Sequence, residues 1–371
     1  MIETPRQRML KAINHIQPEV VPVHIMGFSP IDRWLEYYGV YDNFGLREKL
    51  GLDIQEARPV YLGPNAERGL DIWGKKEGPG GPDGAGYSSV RGGYPLATAT
   101  SVAEVDRFAW PDPADFDYQI VADVLRTVPD DIARFVKGQP VVPAHGQTRL
   151  SAARSGGSWT ALLCTLFDLF GMEHTLINLY AAPRVMEAAV AHLEEFILGF
   201  SRRLLDATRG LADVFYYGDD FAGQRGMLIS PEHWRRFLKP TYAKVYGLGK
   251  SYGLKVWVHE CGTFRPVISD MIDMGMDVWE TVQVHLPGNE PATLKREYGQ
   301  HLAFYGAVST QRTLPFGTPE DVRAEVRERI RVLGKGGGYI CGSDHSIIAD
   351  VPIENVLAMV DEARKFNPRE A

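Results

Sequence analysis

The chain has few cysteines, no long apolar run and no excess of basic charge, and each absence excludes a class of protein. Its 371 residues include three cysteines, too few for a disulfide framework, so we expect reduced thiols and a cytoplasmic location. No apolar run approaches ~20 residues, so no membrane-spanning helix is expected. The opening MIETPRQRMLK lacks the apolar stretch of a secretory signal. A net charge of −7 argues against nucleic acid or an anionic membrane as the partner.

The overall amino-acid composition is that of an ordinary globular protein. Hydrophobic residues make up 44% and charged residues 23% of the chain, which is enough to bury a large core and excludes global disorder. No G-x-G-x-x-G follows a predicted strand, and this weakens any dinucleotide-binding interpretation.

Short β-like runs alternate with long helical patterns along the chain. The candidate strands are Val21–Gly27, Ile54–Pro59, Pro140–Gly146, Asp213–Asp220, Lys255–Gly262, Asp277–Gln283, Leu302–Ser309 and Gly338–Ser343. The last five are rich in the β-branched and aromatic residues of buried strands. Eight strand–helix units predict the α/β class, as a single (β/α)8 TIM barrel that occupies the whole chain as one domain.

A glycine-rich segment interrupts this alternation after the second strand. Gly74–Gly86 contains six glycines in the sequence GKKEGPGGPDGAG. We interpret residues 61–113 as an excursion from the barrel, either a hairpin or a plain surface loop. Its glycine-rich tip is expected to be poorly ordered without substrate, because it has little apolar surface to offset the entropy of ordering.

Metal-ligating side chains lie at the ends of three predicted strands. His259 and Cys261 follow one another in H-x-C spacing, while Glu280 and Cys341 belong to later strands. Residues two apart on a strand face the same side, and barrel strands end at one mouth. An imidazole, two thiolates and a carboxylate form a common zinc set, so the sequence predicts zinc there. Glu280 is either the fourth ligand or a residue that orients a ligand or the substrate.

An H-x-C pair alone is more often core packing than a metal site. What favours metal here is that two of only three cysteines, Cys261 and Cys341, lie at the ends of barrel strands. The third, Cys164, lies in an apolar helical run and is predicted to be a core residue.

Other polar residues at the same mouth are candidates for catalysis and substrate binding. Asp219 and Asp220 end the fourth strand, and because adjacent strand residues face opposite sides, one of them is expected in the site. His345 follows the eighth strand and either contacts the substrate or fixes its own loop. The candidate substrate-binding residues are His145, Gln224, Gln283 and Tyr305. Lone histidines on strands are, however, more often hydrogen-bonded core residues.

The chain resembles the uroporphyrinogen decarboxylase family, in the broad sense, over nearly its whole length. The stretches that carry the resemblance are TPRQRMLKAINHIQPEVVPV, GDDFAGQRGMLISPEHWRRFLKP, LKVWVHECG, FYGAVSTQRTLPFGTPEDVRAEV and GGGYICGSDHSIIADVPIENV. This resemblance also implies a (β/α)8 barrel. The family contains cofactor-free decarboxylases and zinc-dependent methyltransferases that work with corrinoid proteins.

The motifs resemble the methyltransferase branch more than the decarboxylase branch. His259, Cys261 and Cys341 match the H-x-C and distant cysteine of methyltransferases that serve coenzyme M. Glu280 falls near the glutamate of the similar zinc site in cobalamin-independent methionine synthase. The R-Q-A-G-R-Y motif of decarboxylases is replaced by MGFSPIDRW, although His345 resembles the histidine of their G-H-G segment.

The resemblance therefore implies a zinc-dependent methyltransferase. It would move a methyl group between a small thiol, methoxy or methylamine compound and a corrinoid protein. The chain has no D-x-H-x-x-G corrinoid-binding segment, so the corrinoid is expected from a partner. Asp219 or Asp220, with His345, would hold or protonate the substrate. The alternatives are a cofactor-free decarboxylase of the uroporphyrinogen type and a non-catalytic zinc-binding barrel.

Overall fold

A curved parallel sheet forms the centre of the molecule. The structure, a computed structural model, describes residues 3–75, 93–144, 147–154 and 160–366. Its strands are β1 (Ile54–Ala57), β2 (Val60–Tyr61), β3 (Phe116–Asp117), β4 (Ala133–Lys137), β5 (Val214–Gly218), β6 (Ala222–Gly223), β7 (Gly226–Met227), β8 (Lys255–His259), β9 (Val278–Val282), β10 (Ala303–Val308) and β11 (Tyr339–Ser343). Seven of them pair in the order β1-β4-β5-β8-β9-β10-β11, with every pair parallel.

Helices follow the strands and cover the outside of the sheet. They are α1 (Pro5–Ile13), α2 (Asp32–Tyr38), α3 (Asn43–Leu50), α4 (Pro64–Glu67), α5 (Val102–Asp106), α6 (Gln119–Thr127), α7 (Arg149–Ala153), α8 (Leu162–Phe170), α9 (Met172–Ala181), α10 (Pro183–Ala207), α11 (Pro231–Phe237), α12 (Lys239–Ser251), α13 (Ile268–Asp273), α14 (Pro291–Tyr298), α15 (Thr313–Phe316), α16 (Pro319–Leu333) and α17 (Ile353–Lys365). Among the described residues, Pro113–Asp115 and Arg265–Val267 form short 3-10 helices.

Two helices begin with capping residues that are recognisable in the sequence. Thr318 caps α16 in a reciprocal capping box with Asp321, and Pro319 takes the first helical position. Ser230 caps α11 by accepting a hydrogen bond from the amide of His233, and Pro231 takes the first helical position.

An eighth stretch of chain closes the sheet into a barrel. Val23 forms a parallel bridge with Cys341 of β11, and its carbonyl accepts a hydrogen bond from the amide of Asp53, directly before β1. The Asp53 carboxylate in turn accepts from the Val23 amide at 2.6 Å. The segment Val21–Gly27 thus lies between the last and first strands, and the predicted (β/α)8 barrel is confirmed.

The strand period of two separates the apolar residues into two clusters. The inner cluster fills the barrel and includes Tyr216, Trp257 and Tyr305. The outer cluster lies between the strands and the helices, and it includes Tyr217, the sequence neighbour of Tyr216. Which cluster a strand residue joins therefore decides whether its side chain reaches the barrel interior.

The position of the third barrel strand differs from the sequence prediction. The strand is Ala133–Lys137, not Pro140–Gly146, of which Val141 forms a single bridge to Val60. The sequence ARFVK contains two cations, but Lys137 is buried against the Glu56 carboxylate at 2.8 Å. Charge inside the barrel made a central strand resemble a surface segment.

A side structure lies between β1 and α6. Strands β2 and β3 pair antiparallel, so the chain leaves and returns at one place. Residues 76–92, which contain most of the segment Gly74–Gly86, lie outside the described residues, so the prediction about its order stays a prediction. The interpretation of 61–113 as an excursion from a single domain is likewise kept as a proposal.

Among the described residues, no single helix has the length and apolar character needed to cross a membrane. One strongly bent pair, Leu162–Phe170 with Met172–Ala181, meets those two criteria together.

Candidate metal centre

Three potential metal ligands meet at the carboxyl-terminal mouth of the barrel. His259 ends β8, Cys261 follows two residues later, and His345 lies just beyond β11. One ligand atom from each lies within 4.8 Å of the others. His259 Nε2 lies 3.4 Å from Cys261 Sγ, and the rings of the two histidines pack edge to face. Two imidazoles and a thiol are donors that zinc prefers.

Glu280 lies behind His259 and fixes its orientation. Its Oε1 lies 3.2 Å from His259 Nδ1 and accepts a hydrogen bond from the Tyr216 hydroxyl at 3.0 Å. Its Oε2 accepts a hydrogen bond from the Trp257 indole at 2.6 Å. Burial alone would raise the pKa of Glu280, but the hydrogen bond with His259 and the charge of Lys137 outweigh it and lower the pKa to about 2. The arrangement turns Nε2 of His259 towards Cys261 and favours the orienting alternative over direct ligation.

Cys341 does not join the cluster, which corrects the expectation from its motif. It belongs to the outer apolar cluster between strands and helices, and it is completely buried there. Burial raises the pKa of its thiol to about 12. The neighbouring Ile340 faces the barrel interior, so the alternation along β11 turns Cys341 away, and His345 takes the third place.

The electrostatics of the three donors suit a cation. Burial lowers the pKa of His345 to about 4, with the neighbouring His259 adding to the effect, so its imidazole is neutral at neutral pH. Burial and the Asp220 carboxylate hold the pKa of the Cys261 thiol well above its usual range. A bound divalent cation would offset both the desolvation and the nearby negative charge.

The two adjacent aspartates have different environments, as the strand alternation predicts. Asp220 Oδ1 lies 3.6 Å from His259 Nε2 and accepts a hydrogen bond from the Cys261 amide at 3.3 Å. Asp219 is buried and accepts from the amides of Leu163 and Cys164 and from the Tyr242 hydroxyl. Asp220 therefore belongs to the site, whereas Asp219 holds the start of α8 beside it.

The residues expected to bind substrate are dispersed. Gln283 is buried, and its Oε1 accepts from the Gly262 amide at 2.9 Å. The Tyr305 hydroxyl accepts from the Met26 amide at 2.8 Å inside the barrel. Gln224 bonds to Gln311 at 3.2 Å near the surface. These contacts hold Gln283 beside Gly262 and Tyr305 inside the barrel, and substrate binding by these residues stays a prediction; His145 lies outside the described residues.

The sequence analysis did not identify Glu260, which supports the site from the outer face. It lies between the two ligands His259 and Cys261, and its Oε1 accepts from the amides of Phe221 and Ala222 at 2.9 Å each. These bonds fix the loop that carries Asp220. The sequence signal for Glu260 was the two-residue period of side chains along a strand. A residue between two inward-facing neighbours must point outward.

A buried ionic cluster around Glu56 was also missed. Glu56 forms ion pairs with Arg47 at 3.1 Å, Arg58 at 2.9 Å and Lys137 at 2.8 Å. All four residues are buried. The signal in the sequence was IQEARP, in which an acid and a base interrupt a predicted buried strand.

Fold and site together define a protein of the (β/α)8-barrel class with a candidate metal centre at its mouth. A family model described as uroporphyrinogen decarboxylase (URO-D) matches residues 85–366. The chain belongs to this family.

Similar proteins agree with this assignment. A uroporphyrinogen decarboxylase of Psychromonas ingrahamii is 25% identical over 280 residues, which cover 72% of this chain and 70% of that protein. One from Anaeromyxobacter dehalogenans is 26% identical over 302 residues, covering 80% and 76%. Among solved structures, a methyltransferase from Methanosarcina mazei aligns over 98% of this chain and 99% of its own, with a TM-score of 0.65 and 20% identity. At that identity the likeness supports the fold.

Proposed function

We propose that the chain is a zinc-dependent methyltransferase. It moves a methyl group between a small thiol, methoxy or methylamine compound and a corrinoid carried by a partner protein. The observation that carries the proposal is the convergence of His259, Cys261 and His345 at the barrel mouth. The three unpaired cysteines fit a reducing compartment such as the cytoplasm.

Each residue of the site has a separate task in this proposal. His259, Cys261 and His345 hold the ion, and Glu280 keeps the Nε2 atom of His259 directed towards it. A bound zinc ion supplies a Lewis acid that holds a thiol as thiolate or polarises a methoxy or amine group. Asp220 lies next to this position and is placed to hold or exchange the proton of the substrate heteroatom.

Metal analysis combined with a methyl-transfer assay tests the proposal. Protein purified with zinc and without chelator should contain about one zinc per chain and transfer methyl groups between free corrinoid and members of a thiol, methoxyaromatic and methylamine panel. Cys261→Ser should lose metal and activity together. Cys164→Ser, which changes a cysteine outside the cluster, should keep both. Wild-type protein without stoichiometric metal would remove the basis of the proposal.

A second candidate is cofactor-free decarboxylation of a porphyrinogen. It is favoured by the name of the curated relatives, which are uroporphyrinogen decarboxylases of 21–26% identity. Decarboxylation of uroporphyrinogen by chelator-treated, metal-free protein would support this candidate. Stoichiometric zinc without any activity towards either substrate class would instead indicate a non-catalytic zinc barrel.

A further inference from the structure

Strand β9 departs from the regular alternation of side chains beside the candidate metal centre. Val278 belongs to the inner apolar cluster, and both Trp279 and Val282 belong to the outer one. In a regular strand, residues three apart face opposite sides of the sheet. The alternation therefore changes phase between Trp279 and Val282, and the two residues in that interval are Glu280 and Thr281.

The pairing of β9 with β10 shows the same irregularity. The register passes from the pair Trp279–Phe304 to the pair Val282–Gly306, so that two residues of β9 lie opposite a single residue of β10. This is the residue count of a β-bulge, a feature that re-aims side chains and is enriched next to active sites. Two adjacent side chains of β9 can therefore reach the same side of the sheet.

These two side chains contact different members of the donor cluster. Glu280 Oε1 lies 3.2 Å from His259 Nδ1, and Thr281 Oγ1 lies 3.5 Å from Cys261 Sγ. Thr281 is completely buried, so water does not compete for its hydroxyl and the local dielectric constant is low. One bulged strand thus supports two of the three potential ligands.

The sulfur of Cys261 needs such a contact because its backbone alone does not fix it. The Cys261 amide donates to Asp220 Oδ1 at 3.3 Å, which holds the main chain. The sulfur can still occupy different staggered positions about the Cα–Cβ bond. Its contacts with Thr281 Oγ1 and with His259 Nε2, the latter at 3.4 Å, favour one of these positions.

The direction of the hydrogen bond between Thr281 and Cys261 depends on the state of the sulfur. A thiol and a hydroxyl can each donate to the other, whereas a metal-bound cysteine is a thiolate and can only accept. With an ion bound, the hydroxyl must therefore be the donor, and the hydrogen bond is charge-assisted. Hydrogen bonds to a cysteine sulfur withdraw electron density from it and thereby tune the metal.

We propose that Thr281 is a positioning residue of the metal centre, which directs Cys261 Sγ towards the ion and donates a hydrogen bond to it. The hydrogen bond reduces the electron density that the sulfur gives to the metal, so that the ion remains a stronger Lewis acid towards the substrate heteroatom. This inference rests on the proposed function for the presence of the metal and does not require methyl transfer.

Absorption spectra of the cobalt(II)-loaded full chain test the inference. A thiolate bound to cobalt(II) gives a near-ultraviolet charge-transfer band, whose energy rises when a hydrogen bond stabilises the sulfur lone pair. Thr281→Val keeps the shape of the side chain and removes the hydroxyl, so the band should move to longer wavelength in the fully loaded variant. Thr281→Ser keeps the hydroxyl and should retain the wild-type band.

A second readout is the zinc affinity, measured by competition with a chromophoric chelator. Thr281→Val should weaken zinc binding about 10–100-fold, as the loss of an outer partner of a ligand does, and Thr281→Ser should stay near the wild type. Thr175→Val is the matched control, because Thr175 is equally buried but donates to the Leu166 carbonyl at 3.0 Å. This control should change neither the band nor the affinity.

An unshifted band in loaded Thr281→Val, or a zinc affinity equal to that of the wild type, would overturn the inference. Thr281→Ala also lacks the hydroxyl and takes the place of the valine variant if circular dichroism shows that the latter does not fold. Wild-type protein that binds no cobalt would overturn the inference together with the proposed metal centre. A shifted band in a protein without methyl transfer would leave the inference standing and remove only the methyltransferase proposal.

Discussion

Replacing His345 with alanine should remove the metal, whereas replacing Cys341 with alanine should not. His345 supplies one of only three donors in the cluster. Loss of an outer partner of a ligand already weakens metal binding about 10–100-fold, so loss of the donor itself should weaken zinc binding by at least about 100-fold.

The Cys341 variant is the matched control because the sequence motif makes the opposite prediction. Its sulfur is completely buried in the outer apolar cluster. Removing one heavy atom there should cost about 1 kcal/mol of unfolding free energy, comparable to an Ile-to-Val change in a core. Its zinc affinity should remain that of the wild type.

Competition with a chromophoric chelator measures the zinc affinity of both variants, and urea unfolding measures their stability. Circular dichroism should show a folded barrel in each case, because the core forms without the ion. Loss of zinc from Cys341→Ala together with retention by His345→Ala would refute the arrangement described here. It would restore the ligand set that the motif suggests.

Three further changes test the supporting residues. Glu280→Gln should weaken zinc binding about 10–100-fold in the same chelator assay, because it removes the negative charge that lies next to His259 Nδ1. An unchanged zinc affinity would contradict the orienting role of Glu280. Asp219→Asn should lower the unfolding free energy by about 2 kcal/mol through weakened charge-assisted hydrogen bonds, with zinc content unchanged; loss of zinc at full stability would instead indicate a role in the site. Glu56→Gln should destabilise the fold by about 3 kcal/mol or more at pH 7, because it removes a carboxylate that pairs with three buried cations. Although burial alone raises the pKa of Glu56, these cations hold it well below 4.5, so its contribution is present above that pH and is lost as the pH falls further. The stability difference from wild type, measured by urea unfolding across pH, should shrink in acid, and a constant difference would contradict the assignment.

The sequence predicted the barrel well where its strands are apolar. The last five predicted strands agree with the structure to within a few residues, because β-branched and aromatic runs are the direct sign of burial on both faces. The strand Ala133–Lys137 was missed for the opposite reason. Its Lys137 is paired inside the barrel with Glu56, a partner distant in sequence, and no local pattern reveals such a pairing.

The structure differs from the predicted ligand set at Cys341 and His345, and the two differences have separate physical origins. His259 and Cys261 were placed together correctly because they share a strand end. For Cys341 the direction of the side chain decides the outcome, and a shift of one residue reverses that direction. His345 was predicted to hold or protonate the substrate, or to fix its own loop, and not to bind metal, since nothing in the local sequence shows that the chain beyond Ser343 leads it to His259.

The closure of the barrel by Val23 has a consequence for synthesis on the ribosome. The segment around Val23 leaves the ribosome before its neighbour β11 (Tyr339–Ser343), which lies more than 300 residues later in the chain. Contacts so distant in sequence form slowly and late. A nascent chain therefore carries an open seam, with unpaired backbone groups, until β11 has been made. His345 emerges directly after the strand that closes this seam, so the three donors come together only after more than 300 residues beyond Val23 have been made.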